Sequence, residues 1–172
     1  MTYLLPALFL ILLLALLGIH FGYTLLAIVQ GAPFIPSNHA RVKRVLDLAA
    51  IIPGEKLLDL GSGDGRIVFA AAKRGAICVG IEINPLLFWY SSLRLRSKGL
   101  LTVTIKRANF WTFDISDVDV LTVYLVPLHM DRLKAKILKE MKTGSRVISV
   151  VYQFPDWIPE KSDGDVFLYR AP

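Results

Sequence analysis

The stretch Leu57-Leu58-Asp59-Leu60-Gly61-Ser62-Gly63-Asp64-Gly65-Arg66 decides the fold. Leu57–Leu60 is a short apolar run that reads as a buried strand, and three glycines follow it at once. The next helix is expected from about Arg66 to Arg74. Lys73 and Arg74 suit its negative end, and Gly75 suits the residue just past it. Ile77–Ile81 reads as a second strand, closed by Glu82. Glycines between a strand and a helix let the backbone turn tightly and approach a ligand closely. The helix N-terminus adds free N–H groups for an acidic moiety. An acid about 20 residues beyond such a loop is placed to accept hydrogen bonds from both ribose hydroxyls. A strand-end acid beside a glycine loop has few purely structural duties, so Glu82 reads as a nucleoside ligand. Asp59 orders the loop, binds a ligand, or does both, and Asp64 suits the start of the helix.

The same alternation continues in both directions. Ser37 or Asn38 is expected to cap a helix through about Ala50, with Val42, Val45, Leu46 and Ala49 on one face, and Pro53-Gly54 turns the chain. Asn84-Pro85 starts another helix and Lys98-Gly99 stops it. Strands are expected at Thr102–Lys106, Val118–Val126 and Ser145–Tyr152, with a helix at Leu128–Met141 and a final strand at Asp165–Arg170. Strands alternating with helices give an α/β fold, a Rossmann-like, mostly parallel sheet with helices on both faces. Only about 20 residues follow the fifth strand, so the C-terminal edge of the sheet is expected to be abbreviated. Cys78, the single cysteine, excludes an internal disulfide and a cysteine-based zinc site, and reads as a small buried hydrophobe.

The 172-residue chain is 54% hydrophobic and 20% charged, but the charge is unevenly placed. All 20 Lys and Arg and all 14 Asp and Glu lie at or after Arg41. Disordered, collagen-like and polytopic membrane classes are therefore excluded. From Tyr3 to Val29 the clearly polar side chains are His20 and Thr24. Such a helix would extend about 40 Å, against about 30 Å for a bilayer's hydrocarbon core. Residues 1–30 thus read as one N-terminal transmembrane helix and 31–172 as a globular domain, joined by the connector Gln30–Pro36, where Gly31, Pro33 and Pro36 break the helix. A cleaved signal peptide needs a basic start and a shorter apolar core, and neither is found here. Arg41, Lys43 and Arg44 follow the span and nothing basic precedes it, which puts the domain on the cytoplasmic side of a single-pass membrane protein. Gly18 and Gly22 form a GxxxG pair, by itself weak support for packing between two anchors.

The loop is GxGxG, not the GxGxxG of dinucleotide binders, with Asp59 two residues ahead. It resembles the first motif of the class I S-adenosylmethionine-dependent methyltransferases. The resemblance implies that Asp59, Gly61, Ser62 and Gly63 surround the methionine end of that cofactor and Glu82 its ribose. Asn109 matches the position where many members place Asp or Asn against the adenine, although Arg107-Ala108-Asn109-Phe110 departs from the usual Gly-Asp pattern. A narrower resemblance rests on Pro33-Phe34-Ile35-Pro36-Ser37, Gly61–Val68, Glu82-Ile83-Asn84-Pro85, Asn109-Phe110-Trp111 and Phe154-Pro155-Asp156-Trp157. In this order they are similar to the membrane-anchored protein-lysine methyltransferases of the mitochondrial ADP/ATP carrier and the ATP synthase c subunit, and to their prokaryotic relatives. That family implies a connector folded over the cofactor pocket. Ser37 in place of Thr, and Leu125-Val126-Pro127-Leu128, depart from it.

A lysine acceptor, with a reference pKa of about 10.4, must lose its proton before it attacks a methyl group. Aromatic faces hold both the amine and the sulfonium by cation–π contact. Trp89, Tyr90, Trp111, Tyr124, Tyr152, Phe154 and Trp157 are the candidates, with Tyr124 and Trp157 singled out as catalytic. His129 reads as a surface helix histidine before it reads as a base. No His/Asp/Glu cluster suggests a metal. The absence of an Asn-Pro-Pro-aromatic motif after the fourth strand argues against adenine methylation, and the net charge of +6 comes without an RNA-binding motif. The expected partners are a membrane-embedded protein substrate and membrane lipid, not nucleic acid. Small-molecule or lipid methylation, and a non-enzymatic cofactor-binding scaffold, stand as alternatives.

Overall fold

The structure is a computed structural model that describes residues 4–30 and 33–172, excluding the side chains of residues 26–30. Tyr3 of the apolar segment and Gly31 of the connector lie outside the described residues. Helix α1 (Leu4–Gln30) is followed by α2 (His39–Ala49), β1 (Lys56–Leu60), α3 (Arg66–Ala72) and β2 (Ile77–Glu82). Then come α4 (Pro85–Lys98), β3 (Val103–Arg107), β4 (Val120–Val123), α5 (Met130–Glu140), β5 (Arg146–Val150), β6 (Lys161–Asp163) and β7 (Val166–Arg170). Asn38 caps α2 by accepting from Arg41 N–H, and Asn84 caps α4 by accepting from Leu86 and Leu87 N–H. Gly99, at φ 61°, ends α4 in the left-handed conformation that glycine adopts without strain.

The strands form one seven-stranded sheet in the order β3-β2-β1-β4-β5-β7-β6. The pairs from β3 to β5 are parallel, while β7 runs antiparallel to both β5 and β6. Alternating residues feed two cores. Leu57, Cys78, Val120 and Ile148 face α2 and α3, with Leu95 of α4 packed on the same side. Leu58, Ile81, Leu121 and Val147 face Leu133 and Ile137 of α5. This period-two exchange is why apolar runs, not alternating patterns, mark the strands.

The sheet is mixed, and its C-terminal edge is a hairpin with no helix between β5 and β6. Lys161–Asp163 was not legible as a strand because all three residues are exposed and polar, the dress of an edge strand. The hairpin is tied back to α2, where Arg41 and Arg44 both donate to Asp165. The fourth strand is shorter than the apolar run Val118–Val126, since Pro127 starts a 3₁₀ turn that leads into α5. Leu4–Leu25 of α1 is exposed except at the half-buried Tyr23 and Thr24, and is long and apolar enough to cross a membrane.

Candidate active site

The strand order reverses between β1 and β4, and ligands of open α/β sheets bind outside the strand ends at such a point. There the glycine loop leaves β1. Gly61 and Ser62 N–H both donate to Ile81 O at 2.9 Å, which pins the loop across β2. Gly61, Gly63 and Gly65 have φ of 78°, 55° and 79°, so each position favours a residue without a Cβ. Glu82 at the end of β2 accepts from Gly63 N–H at 2.9 Å and from Asn84 N–H at 2.8 Å. It therefore has a structural duty to which sequence reasoning gave little weight: it ties the loop to the start of α4. Burial pushes its carboxyl above the ordinary range, opposed by these backbone donors.

Asp59 is buried at the base of the loop and accepts from Thr122 Oγ1 at 2.7 Å. Burial raises its carboxyl to about 7; the Thr122 hydrogen bond works the other way, and the neighbouring Glu82 and Asp64 add to the rise. Asp64 is the contrasting acid. Burial would raise it, but Arg66 donates twice at 2.8 Å and Arg94 at 2.7 Å, and together they hold it below the carboxylate range. Arg66 also donates through Nη1 to Ser37 O. The chain Arg94–Asp64–Arg66–Ser37 thus links α4, the loop, α3 and the connector.

These groups surround a cleft of about 1000 Å³, counting its open part. Asp59, Gly61, Ser62, Glu82, Asn109 and Tyr124 all line it. Gly63 contributes through its N–H bond to Glu82. Connector residues 33–37 form one wall, and Phe34 lies so close over the loop that a Cβ at Gly63 would meet its ring at 2.4 Å. His20 and Thr24 of α1 form another part of the wall. On the same stretch of helix, Tyr23 Oη accepts from Arg107 at 2.9 Å, so the end of α1 is docked at the end of β3.

Trp157 is not brought to the cleft. It packs between Phe154 and Tyr169 with ring centroids 5.2 and 5.0 Å away. Trp111 stacks under Arg132, whose Cζ is 4.0 Å from the ring centroid, and meets His129 edge-on. His129 is buried, not the surface histidine expected, because the 3₁₀ turn rotates it inward. Cys78 is buried, and burial pushes its thiol up to about 12, out of reach of nucleophilic duty. Sequence reasoning missed Thr122, Arg66 and Arg94, which act through other residues. It also missed Gly80, where a Cβ would sit 2.7 Å from Ser62 Oγ.

The cleft can be tested as a nucleoside site. Two buried carboxylates flank the glycine loop, one suited to a cationic end and one to hydroxyl donors. Leu87, Phe110 and Leu125 supply apolar walls. Ser62 lines the cleft, and its Oγ is buried with no partner among the described residues. This donor set fits an adenosyl sulfonium with an amino-acid tail.

Residues 59–161 match the ANTKMT methyltransferase domain family. The chain belongs to that family. The match begins at Asp59 and takes in the loop, Glu82, Asn109, Tyr124 and Phe154. Among the relatives is a lysine N-methyltransferase of the ATP synthase c subunit, from Homo sapiens, 35% identical over 81% of this chain and 61% of the relative. The chain thus spans about three-fifths of that protein's length. A protein-lysine N-methyltransferase of Saccharolobus islandicus is 33% identical over 82% of this chain and 94% of its own. A crystal structure described as an RNA methyltransferase from Salinibacter ruber, in complex with S-adenosyl-L-homocysteine, is 33% identical. It superposes with a TM-score of 0.77 over 80% of this chain and 94% of that one.

Proposed function

We propose that the chain is an S-adenosylmethionine-dependent protein-lysine N-methyltransferase, held at a membrane by α1 and acting on a lysine near the bilayer surface. The observation that carries it is the pair of buried carboxylates, Asp59 and Glu82, on either side of the glycine loop in a chain of this family. The Saccharolobus islandicus relative, which the chain covers almost from end to end, supports lysine as the acceptor. Leu4–Leu25 supports the anchor, with residues 1–30 as the span and 31–172 as the catalytic domain on the cytoplasmic side, where Arg41, Lys43 and Arg44 follow the span.

The cofactor would supply an electrophilic methyl group on sulfur. Asp59 and the loop from Gly61 to Gly63 would hold its amino-acid end, Glu82 its ribose and Asn109 its adenine. Tyr124, just past β4, lines the cleft with Arg41 Cζ 5.9 Å from its ring centroid, and its hydroxyl and aromatic face would serve the acceptor amine. The walls from the connector and α1 would exclude water, which favours the neutral amine over the ammonium.

The test supplies the purified full chain and methyl-labelled S-adenosylmethionine to membranes, lipid, cytosol and RNA from cells lacking the gene. Label in a membrane protein, recovered as methyllysine after acid hydrolysis, is the expected result. Label in extractable lipid would move the acceptor to a headgroup. Label in RNA would favour the activity for which the Salinibacter ruber protein is described.

A further inference from the structure

Helix α4 is apolar on both of its faces. Leu95 packs inward on the core, and Leu86, Trp89, Tyr90 and Leu93 recur at helical spacing on the opposite side. Trp89 and Leu93 are each 67% exposed and Tyr90 is 53% exposed. The other surface helices are built differently: α2 turns His39, Lys43 and Asp47 outward, and α5 turns Asp131, Arg132 and Lys139 outward. A contiguous exposed apolar patch with a basic end marks a contact surface rather than an ordinary solvated face.

Three observations say what covers it. The helix carries Arg94, Arg96 and Lys98 and no acid. Arg94 is committed to Asp64, but among the described residues neither Arg96 nor Lys98 has an ion-pair partner. The face mixes Trp and Tyr with leucine and basic residues, the composition that settles at a lipid–water boundary. Finally, α4 starts at the rim of the cleft that α1 walls: Leu87 lines that cleft together with His20 and Thr24. A second copy docking through this same face would bring the same positive charge to the contact and be repelled.

We propose that the outer face of α4 rests on the membrane surface, with Leu86, Trp89, Tyr90 and Leu93 at the boundary and Arg96 and Lys98 over anionic headgroups, an inference that rests on the membrane-anchored reading of α1. The domain then has two membrane contacts, a span and a lateral foot. Together they fix how the cleft is held above the bilayer, and so which lysines of an embedded acceptor lie within reach.

The experiment reconstitutes the full chain in vesicles of phosphatidylcholine and phosphatidylglycerol with acyl-chain-brominated lipid, and reads tryptophan fluorescence. The three tryptophans are Trp89, Trp111 and Trp157, and the latter two are packed against the domain. Bromolipid is expected to quench the wild-type protein, and Trp89→Phe to remove most of that quenching. Leu93→Glu, an exposed substitution that leaves the fold intact, is expected to lift the face and cut the quenching of Trp89 by more than half. Equal quenching of wild type and Trp89→Phe would overturn the lateral foot. So would Leu93→Cys forming a disulfide with a second copy in place of lipid contact. Carbonate extraction separates the two readings. A chain that resists extraction but shows no Trp89 quenching refutes the foot alone, and a chain that extraction strips from the vesicles refutes the anchor as well.

Discussion

Replacing Asp59 by Asn should make the cofactor-free protein more stable and a worse methyltransferase, with a pH dependence that identifies the cause. The folded protein holds this carboxyl at about 7, against 3.8 for the unperturbed group. Each unit is worth about 1.4 kcal/mol, so keeping the carboxylate charged in its buried site costs on the order of 4 kcal/mol above pH 7. The folded state binds the proton more tightly than the unfolded state. Between about pH 4 and pH 7 folding therefore takes up a proton, and stability falls as pH rises through that window. Below pH 4 both states are protonated and the cost vanishes. Asn is close to isosteric and keeps an oxygen for the Thr122 hydroxyl. Urea unfolding of the full chain in detergent should show Asp59→Asn about 2–4 kcal/mol more stable at pH 8, a gain that shrinks toward zero near pH 4. Cofactor affinity should move oppositely: tighter with rising pH up to about 7 in the wild type, weaker and flat in the variant. Parallel stability curves for the two proteins would refute the assignment of a buried, reluctantly charged Asp59.

Glu82→Ala removes a carboxylate placed for two charge-assisted bonds to ligand hydroxyls, and it frees Gly63 N–H. Cofactor binding measured by calorimetry should weaken about 100-fold, from about 3 kcal/mol of lost hydrogen bonding, and unchanged methyl transfer would contradict the site. Gly80→Ala puts a methyl 2.7 Å from Ser62 Oγ and 2.9 Å from Ile105 Cδ1, so a loss of about 1–3 kcal/mol is expected in urea unfolding. Arg66→Gln cuts the link from Asp64 to Ser37 and releases the connector over the loop; KM for the cofactor should rise more than kcat falls, as steady-state kinetics will show. His20→Leu keeps α1 apolar but alters the cleft wall, so turnover of a soluble lysine peptide in detergent should change even though no membrane is present.

The glycine loop and both flanking carboxylates were legible because a parallel sheet confines ligands to the strand ends, and the loop's φ values demand glycine. The helix starts at Asn38 and Asn84 were legible because an Asn cap leaves a local signature. Other features are long-range. Thr122 meets Asp59 only through the β1–β4 pairing, and Gly80 matters only because Ser62 folds across β2. Trp157 carried the right chemistry for the acceptor side, but its position follows from packing on Phe154 and Tyr169, which no local pattern encodes. The turn at Pro127–His129 reversed the reading of His129, since one 3₁₀ turn at a helix entrance changes which face a side chain occupies.

The wall that His20 and Thr24 give the cleft, with Tyr23 bonded to Arg107, makes α1 more than a tether. A helix longer than its bilayer tilts or slides to match the hydrocarbon thickness. If α1 spans a bilayer as proposed, any such adjustment would act on the residues that wall the cleft. Linkage runs both ways: a ligand that favours one arrangement of the wall favours one tilt, and a bilayer that favours that tilt tightens the ligand by the same factor. On the proposed membrane-anchored reading, lipid thickness would act as an effector of methyl transfer, with acyl-chain length as its dose.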